Sequence, residues 1–366
     1  MPTFSIADVR LVGVGAAVPA LQYVSWESYG LPSDAFPRWH RDNRRPYSRA
    51  ARWEDCQSDY CVQAAQVLIE KLGWNPADID LVVMVTVTPD YPIPATAIII
   101  QDRLQIPKSA AAFDLPGGPT GLLHGMQLVS SILAGGHLRR ALLLTGWISK
   151  IVESPSDMES PGNICGDNGT VLAFEYSQGA PSLFFDFGGN GESYKTMYMP
   201  VGGTRNPPVA EMFSGPGSAV RADHPANQIC TDEAEMGVIA EAQLPDSIRR
   251  MLTLAGESVE AVDEFYVQPL PLLVEDAIRK SLAISKDKFH GFLYEYGNCR
   301  SGGIPVAMLA RSQTALRNGR CVSVFASMGM GSSWGSALVV TENLVCPDLI
   351  EVSPSAGASD PGMPNA

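Results

Sequence analysis

Positive charge and long apolar runs are both scarce in this 366-residue chain. Lys and Arg number 26 against 39 Asp and Glu, which gives a formal net charge of −13 at pH 7. That balance argues against nonspecific nucleic-acid binding, because phosphates attract basic surfaces. The apolar runs, such as residues 79–87, are far shorter than the roughly 20 residues of a membrane-spanning helix. We therefore expect no nucleic-acid partner and no membrane span.

The sequence also lacks a paired cysteine framework and a leader pattern. Its seven cysteines are an odd number without metal-ligand spacing, in a chain too large to need disulfides. We predict reduced thiols and no metal site. The first residues contain no basic stretch followed by an apolar core, so we expect no secretory signal and a cytoplasmic location.

One long unit occurs twice along the chain, at an offset of about 180 residues. In the first half, strands and helices alternate over residues 79–85, 97–104, 111–114, 120–133 and 141–145. In the second half, the same order recurs at residues 262–267, 274–282, 291–296, 305–316 and 321–326. Short, nearly continuous apolar strands alternating with helices are typical of sheets covered on both faces. The sequence therefore predicts a duplicated, layered α/β fold.

The composition divides the chain into four parts. Residues 1–177 form the N-terminal half and residues 233–345 the C-terminal half. Between them, residues 178–232 are rich in Gly, Pro, Asn and Ser, which predicts a loop-rich insertion. We predict a flexible tail over residues 346–366, because most of its last residues are Pro, Ser, Gly and Ala.

Several short motifs occur in a fixed order between about residues 9 and 342. They are VGVGAAVP at 12–19, DIDLVVMVTVTPD at 78–90, AFDL at 112–115, GDNG at 166–169, YGN at 296–298, IP at 304–305 and GMGSSWG at 329–335. Together they resemble the ketoacyl-ACP synthase III family. The resemblance implies a thiolase fold, in which two similar βαβ-type halves pack as a layered α/β/α/β/α structure.

The resemblance also implies acyl-thioester chemistry by a Cys, a His and an Asn. The nucleophile position aligns with Pro119, which has no nucleophilic atom and no N–H for an oxyanion. The histidine position falls on Gln268, which cannot hold a proton near pH 7. The asparagine is retained as Asn298, either in a site role or as a turn residue that tolerates left-handed geometry. Thr120 is a substitute nucleophile only if a base is near, and Met330 supplies a backbone oxyanion donor.

A basic, aromatic segment resembles the mouth where the family holds the nucleotide of coenzyme A. Trp39 stands just ahead of Arg41, Arg44 and Arg45, and arginines suit phosphate groups. The same segment can equally be interpreted as an ordinary solvent-exposed surface segment. In the family, the stretch that corresponds to residues 151–163 contributes basic character to the adenine site. In this chain the stretch contains no Lys or Arg.

These substitutions predict a protein that acts on acyl thioesters without an acyl-cysteine. We expect an atypical acyltransferase, or a condensing or cyclising enzyme, of fatty-acid-like or polyketide secondary metabolism. The alternative is a noncatalytic ketosynthase-like subunit that pairs with an active chain. No cofactor is expected, since coenzyme A or phosphopantetheine thioesters are the substrates. The expected partners are acyl-CoA or acyl carrier protein, and a second chain in a homodimer or heterodimer.

Overall fold

Two six-stranded sheets form the frame of the molecule. The structure, a computed structural model, describes residues 3–20, 22–23, 47–52, 54–149, 166–207, 229–291 and 295–353. Its strands are β1 (Thr3–Ile6), β2 (Val9–Pro19), β3 (Gln22–Tyr23), β4 (Tyr47–Ser48), β5 (Leu81–Thr86), β6 (Ala111–Pro116), β7 (Arg140–Trp147), β8 (Asn168–Tyr176), β9 (Leu183–Gly189), β10 (Met197–Tyr198), β11 (Cys230–Thr231), β12 (Glu264–Val267), β13 (Phe289–His290), β14 (Arg320–Gly329), β15 (Ser333–Glu342) and β16 (Ile350–Val352). Its helices are α1 (Gln57–Leu72), α2 (Thr96–Arg103), α3 (Gly121–Ala134), α4 (Glu233–Ala255), α5 (Leu272–Ser281), α6 (Gly303–Arg311) and α7 (Gln313–Arg317).

The two sheets repeat the same topology. The first has the order β16-β2-β8-β7-β5-β6, and the second has the order β1-β9-β15-β14-β12-β13. In the first sheet, β5 runs parallel to β6 and β7, and β7 pairs antiparallel with β8. In the second sheet, β12 is parallel to β13 and β14, and β14 pairs antiparallel with β15. The predicted duplication is therefore confirmed.

The helices complete a five-layered arrangement. Helices α3 and α6 each contact both sheets and lie between them, while α1 and α2 cover the first sheet and α4 covers the second, with α5 packed on α4. The central apolar cluster joins Leu122 and Met126 of α3 to Ile304 and Met308 of α6 and to Phe185 of β9. This is the predicted α/β/α/β/α order. No helix within the described ranges is long and apolar enough to cross a membrane.

Two of the predicted boundaries are corrected. The predicted insertion contains β9, which lies between β1 and β15 in the second sheet. Its apolar residues at 183, 185 and 187 alternate as they do in a half-buried strand. The predicted tail begins too early, because Cys346 is buried and β16 pairs with β2.

Two predicted elements of the second half need comment. Residues 292–294 of the strand predicted at 291–296 lie outside the described residues, and the described strand β13 just before them occupies Phe289 and His290. The helix predicted at 305–316 is interrupted at Ser312, whose φ and ψ of −119° and 8° are not helical. Serine often leaves a helical path because its hydroxyl competes for backbone hydrogen bonds.

Asp186 ties the edge of the second sheet to its covering helix. Its buried carboxylate accepts hydrogen bonds from the Thr3 hydroxyl at 2.7 Å and from Nη2 of Arg250 at 2.8 Å. Burial alone raises the pKa of Asp186, but the bonds from Arg250, Thr3 and Ser247 outweigh it and hold the pKa below its ordinary value. β1, β9 and α4 therefore meet at one ionised group.

Candidate active site

The turn between β6 and α3 carries no acid, base or thiol. It consists of Gly117, Gly118, Pro119 and Thr120, and the N–H of Gly121 closes it by donating to the carbonyl oxygen of Gly118 at 2.8 Å. Proline is well suited to the start of a helix, because its missing N–H would have no partner there and its φ is already helical. The positive end of the α3 dipole therefore faces a turn without a nucleophile at Pro119.

The Gly329–Met330 segment lies directly on this turn. A Cβ built on Gly118 would come within 3.0 Å of the Met330 sulfur. A Cβ on Gly329 would lie 3.0 Å from the Thr120 nitrogen and 3.3 Å from Cδ of Pro119. Only glycine allows backbones to approach this closely. The structure thus brings together Pro119, Thr120 and Met330, three of the predicted site residues.

Thr120 is held by hydrogen bonds to the neighbouring strand. Its hydroxyl is buried and donates to the backbone oxygen of Ser333 at 3.2 Å. The Ser333 hydroxyl lies 3.3 Å from Oγ1 of Thr120 and 3.1 Å from the Met330 backbone oxygen, and its single proton can be donated to either acceptor. The proton of Thr120 is therefore directed at a carbonyl oxygen and not at a base, and a threonine without a base is a poor nucleophile.

Gln268 follows β12, and hydrogen bonds to its amide oxygen fix the orientation of its side chain. Its Oε1 accepts hydrogen bonds from the Ser327 hydroxyl at 2.9 Å and from the Met328 N–H at 3.2 Å. A backbone N–H can only donate, so the atom that faces it must be the amide oxygen. The Nε2 group makes no hydrogen bond to any residue that the structure describes. Gln268 thus offers N–H donors beside the end of β14, which leads into Met330.

Asn298 is oriented in the same way. Its Oδ1 accepts the N–H of Arg300 at 3.1 Å, and its backbone oxygen accepts the N–H of Gly166 at 3.2 Å. The interpretation as a left-handed turn residue is wrong, because the positive φ angles fall on Gly297 at 70° and Arg300 at 50°. Within the described ranges, Nδ2 of Asn298 has no acceptor. Asn298 and Gln268 therefore both present amide N–H groups.

Short contacts hold the Asn298 turn close to the Gln268 segment. Nδ2 of Asn168 donates to the backbone oxygens of Gly166 and Cys299 at 2.8 and 3.0 Å. A Cβ built on Gly303 would lie 2.5 Å from Cδ of Pro269, the residue after Gln268. The turn is thus packed against both β8 and the residue that follows Gln268.

No activated thiol or imidazole adjoins these residues in the described part of the chain. Cys299 follows Asn298, but burial raises the pKa of its thiol to about 12, so it is protonated at neutral pH. His124 packs against the Phe187 ring with centroids 4.6 Å apart, and His290 contacts Glu264. No group of three His, Cys, Asp or Glu side chains in the described ranges could hold a metal.

Two residues near Asn298 were missed by the sequence reasoning. Arg300 is 8% exposed, and its guanidinium carbon lies 5.6 Å from the ring centroid of Trp147. Trp147 ends β7 and is fully buried. The sequence feature that could have drawn attention to Arg300 is its position in a turn of otherwise small residues, Asn298-Cys299-Arg300-Ser301-Gly302-Gly303.

The predicted coenzyme A mouth lies outside the described residues. This applies to Trp39, Arg41, Arg44 and Arg45 and to residues 151–163, so their roles stay predictions. Arg49, from the same basic segment, is described and buried. It bonds to Glu351 at 2.8 Å and to the Pro19 backbone oxygen at 2.9 Å. Arg49 therefore holds the fold together at this point.

The chain is similar to known proteins over nearly its whole length. A family model described as "3-Oxoacyl-[acyl-carrier-protein (ACP)] synthase III C terminal" matches residues 252–341. A beta-ketoacyl-[acyl-carrier-protein] synthase III of Desulfitobacterium hafniense is 30% identical over 339 residues, which cover 91% of this chain and 98% of the relative. The one from Natranaerobius thermophilus is 30% identical over 301 residues, covering 80% and 86%. The crystal structure of 3-oxoacyl-(acyl-carrier protein) synthase from Burkholderia xenovorans LB400 aligns with a TM-score of 0.83 at 25% identity, covering 96% of this chain and 99% of that one.

Proposed function

Because the chain belongs to the beta-ketoacyl-[acyl-carrier-protein] synthase III family, we propose that it acts on acyl thioesters of coenzyme A or of an acyl carrier protein without an acyl-cysteine stage. The observation that carries this proposal is the turn from Gly117 to Thr120, where no side chain can form a thioester. In this proposal Pro119 occupies the position of the family's cysteine and Gln268 that of its histidine. Pro119 also removes one backbone donor from the oxyanion site.

The groups that remain are donors suited to a carbonyl oxygen. Gln268 and Asn298 each have the amide oxygen engaged in a backbone hydrogen bond and the NH₂ group available. Met330 would add its backbone N–H from the loop that lies on the turn. Such donors stabilise the charge that develops on a thioester oxygen when its carbon is attacked. The site is therefore suited to activating a thioester but not to forming an acyl-enzyme.

The reaction that fits these groups is direct acyl transfer. A hydroxyl or amine of a second substrate attacks the thioester carbon, the C–S bond breaks, and the thiolate leaves with the proton that the attacking group loses. Alignment of two bound reactants can contribute about 7–11 kcal/mol without a protein nucleophile. Condensation or cyclisation of a reactive β-keto thioester, in fatty-acid-like or polyketide secondary metabolism, would use the same donors.

A second candidate is a noncatalytic subunit paired with an active ketosynthase-like chain. It is favoured by β6, which is the edge strand of the first sheet within the described part of the chain and on which Phe113 and Leu115 are only half-buried. An open edge strand with apolar side chains can add a strand from another chain. In a homodimer that strand would come from a second copy, and in a heterodimer from the active partner.

The test is thiol release by the purified chain. Acetyl, malonyl and longer acyl thioesters of coenzyme A and of a carrier protein are mixed with amine and alcohol acceptors, and free thiol is followed. We expect release above the rate without protein. Asn298→Asp keeps the acceptor for Arg300 but removes the amide donor, so it should lower the rate about 10²- to 10³-fold. Asn75→Asp is the control, because Asn75 only caps a surface turn at Ala77.

The two candidates give different results in this test. A chain that turns over thioesters alone supports the proposed enzyme. Release that appears only after copurification with a cysteine-bearing relative, and that is unchanged by Asn298→Asp, supports the noncatalytic subunit. An absence of thiol release in both settings contradicts the proposed enzyme.

A further inference from the structure

A cleft opens at the end of the molecule opposite to the candidate active site. Its volume is about 670 Å³, within the roughly 300–1,000 Å³ of pockets that hold small ligands. It is lined by Arg10, Arg140 and Arg320, which lie at or near the beginning of β2, β7 and β14. The ten residues of β14 span roughly 30 Å in an extended strand, and Met330 follows them. The cleft is therefore separate from the site around Met330.

The lining of the cleft combines apolar and charged side chains. Both sheets contribute to it, since β2, β7 and β8 belong to the first sheet and β14 and β15 to the second. The larger apolar members are buried or half-buried, and they are Leu11, Val12, Leu72, Trp74, Val340 and Val345. The charged members are the three arginines with Glu175 and Glu342. The lining therefore carries a net positive charge in a chain whose net charge is −13, which favours an anionic ligand.

Arg140 is fixed by its neighbours on the protein. Its guanidinium carbon lies 4.9 Å from the ring centroid of Trp74, its Nη1 donates to Asp78 at 3.1 Å, and its Nε lies 3.8 Å from Glu175. Within the described ranges, Nη2 of Arg140 has no hydrogen-bond partner. An arginine that is already held in one position loses little conformational entropy when it binds a ligand. Arg140 thus offers a preorganised donor to the cleft.

Glu175 holds Arg10 next to Arg140. Nε and Nη2 of Arg10 donate to Oε1 of Glu175 at 3.1 and 2.5 Å, while Arg140 faces Oε2. One carboxylate therefore serves two guanidinium groups and neutralises only one of the two positive charges. Nη1 of Arg10 has no acceptor among the residues that the structure describes. The pair retains N–H donors and a net positive charge for a further anion.

Arg320 contributes a guanidinium from the second sheet. Glu342 is its direct partner in the register of β14 and β15, and both residues line the cleft. The two side chains nevertheless form no ion pair, and no other carboxylate of the described chain pairs with Arg320. An exposed arginine without a carboxylate partner is available to an anion. Glu342 opposes that anion, because it adds a like charge to the lining.

We infer that this cleft binds an organic anion, namely a phosphate or a carboxylate on an apolar body. Arg10, Arg140 and Arg320 supply the donors for the anionic group, and the planar fork of a guanidinium fits the oxygens of either group. The apolar lining covers the rest of the ligand. The inference goes beyond the proposed function, since this ligand lies away from the thioester site and takes no part in its chemistry.

Calorimetry with matched probes tests the inference. The full-length chain is titrated with octyl phosphate and octanoate, with octanol as the neutral probe and inorganic phosphate as the probe without an apolar body. We expect the better of the two anionic probes to bind at least about 10-fold more tightly than octanol, which is the value of a charged hydrogen bond. Inorganic phosphate should bind more weakly than octyl phosphate, because it buries no apolar surface.

Two substitutions of opposite effect locate the bound probe. Arg320→Gln should lower the affinity for the better anionic probe about 10-fold. Glu342→Gln should raise it several-fold, because it removes a like charge. Both residues are exposed, so both variants should fold. Arg249→Gln, at an exposed ion pair outside the cleft, and Asn298→Asp, in the candidate active site, should leave the affinity unchanged.

The outcomes also distinguish the two kinds of anion. Tighter binding of octyl phosphate identifies an organic phosphate as the ligand, and tighter binding of octanoate identifies a carboxylate. Either result supports the inference when Arg320→Gln weakens the binding. Equal affinities for the anionic probes and octanol overturn it. An anion affinity that Arg320→Gln leaves unchanged also overturns it, because the probe is then bound elsewhere.

Discussion

The Ser327 hydroxyl donates a hydrogen bond of 2.9 Å to Oε1 of Gln268, and the Met328 N–H donates to the same oxygen. The amide can therefore face the site only with its NH₂ group. A histidine at this position would exchange protons near neutral pH, whereas glutamine is a permanent donor. With its oxygen held by Ser327 and Met328, the Gln268 side chain can donate a hydrogen bond to a ligand but cannot transfer a proton.

Gln268→Glu should weaken thioester binding. The substitution keeps an oxygen for Ser327 and Met328 but replaces the NH₂ donor with a second oxygen, which repels a carbonyl oxygen. We expect acyl-CoA affinity to fall by about 10-fold or more, measured by calorimetry, since a donor to the bound oxygen is lost. Gln105→Glu, on the surface after α2, should leave the affinity unchanged. Equal affinity of Gln268→Glu and wild type would show that the amide does not contact the ligand.

Gly329→Ala should destabilise the fold. Its new Cβ would lie 2.8 Å from Oγ1 of Thr120 and 3.0 Å from the Thr120 backbone nitrogen, so the loop or the turn must move. Overpacking of this kind costs about 1–3 kcal/mol of unfolding free energy, which urea denaturation can measure. Gly191→Ala is the matched control, because its Cβ would meet nothing within 4 Å. A neutral Gly329→Ala would mean that the loop does not rest on the turn as described.

The stability that Asp186 contributes should depend on pH. Its pKa is lowered in the folded state, so its contribution is present above the unfolded pKa of about 3.9 and is lost as the pH falls through the folded value. Asp186→Asn should therefore be less stable than wild type at about pH 6, with the difference shrinking below about pH 4. Urea unfolding across this range measures the difference. Asp246→Asn is the control, because Asp246 forms an exposed ion pair with Arg249. A difference in unfolding free energy between Asp186→Asn and wild type that stays constant with pH would contradict the account.

The sequence was sufficient for the parts of the fold that depend on local pattern. The apolar runs predict β5, β7, β12 and β14, and the repeated order predicts their matching places in the two sheets. β9 was missed because its Gly- and Pro-rich surroundings hid a strand that is stabilised by β1 and β15 on either side. β13 has only two residues, which are too few to produce a recognisable alternation of apolar and polar residues in the sequence.

The site was predictable only in part, for a similar reason. The juxtaposition of Pro119 with Met330 was expected from the resemblance and is present. The direction of the Gln268 amide depends on hydrogen bonds from β14, some 60 positions further along the chain. The pairing of Arg300 with Trp147 joins two distant segments of the chain, and neither residue has a local pattern that points to the other.

The absence of an acyl-enzyme stage is tested most directly by intact-mass measurement. The wild-type chain is incubated with acetyl-, malonyl- and longer acyl-CoA and with the matching carrier thioesters, beside Pro119→Cys. The variant places a thiol at the start of α3, where the helix dipole lowers the pKa of a thiol, and should gain the mass of one acyl group. The wild-type mass should stay unchanged with every thioester. A stable acyl adduct on the wild-type chain would contradict the account.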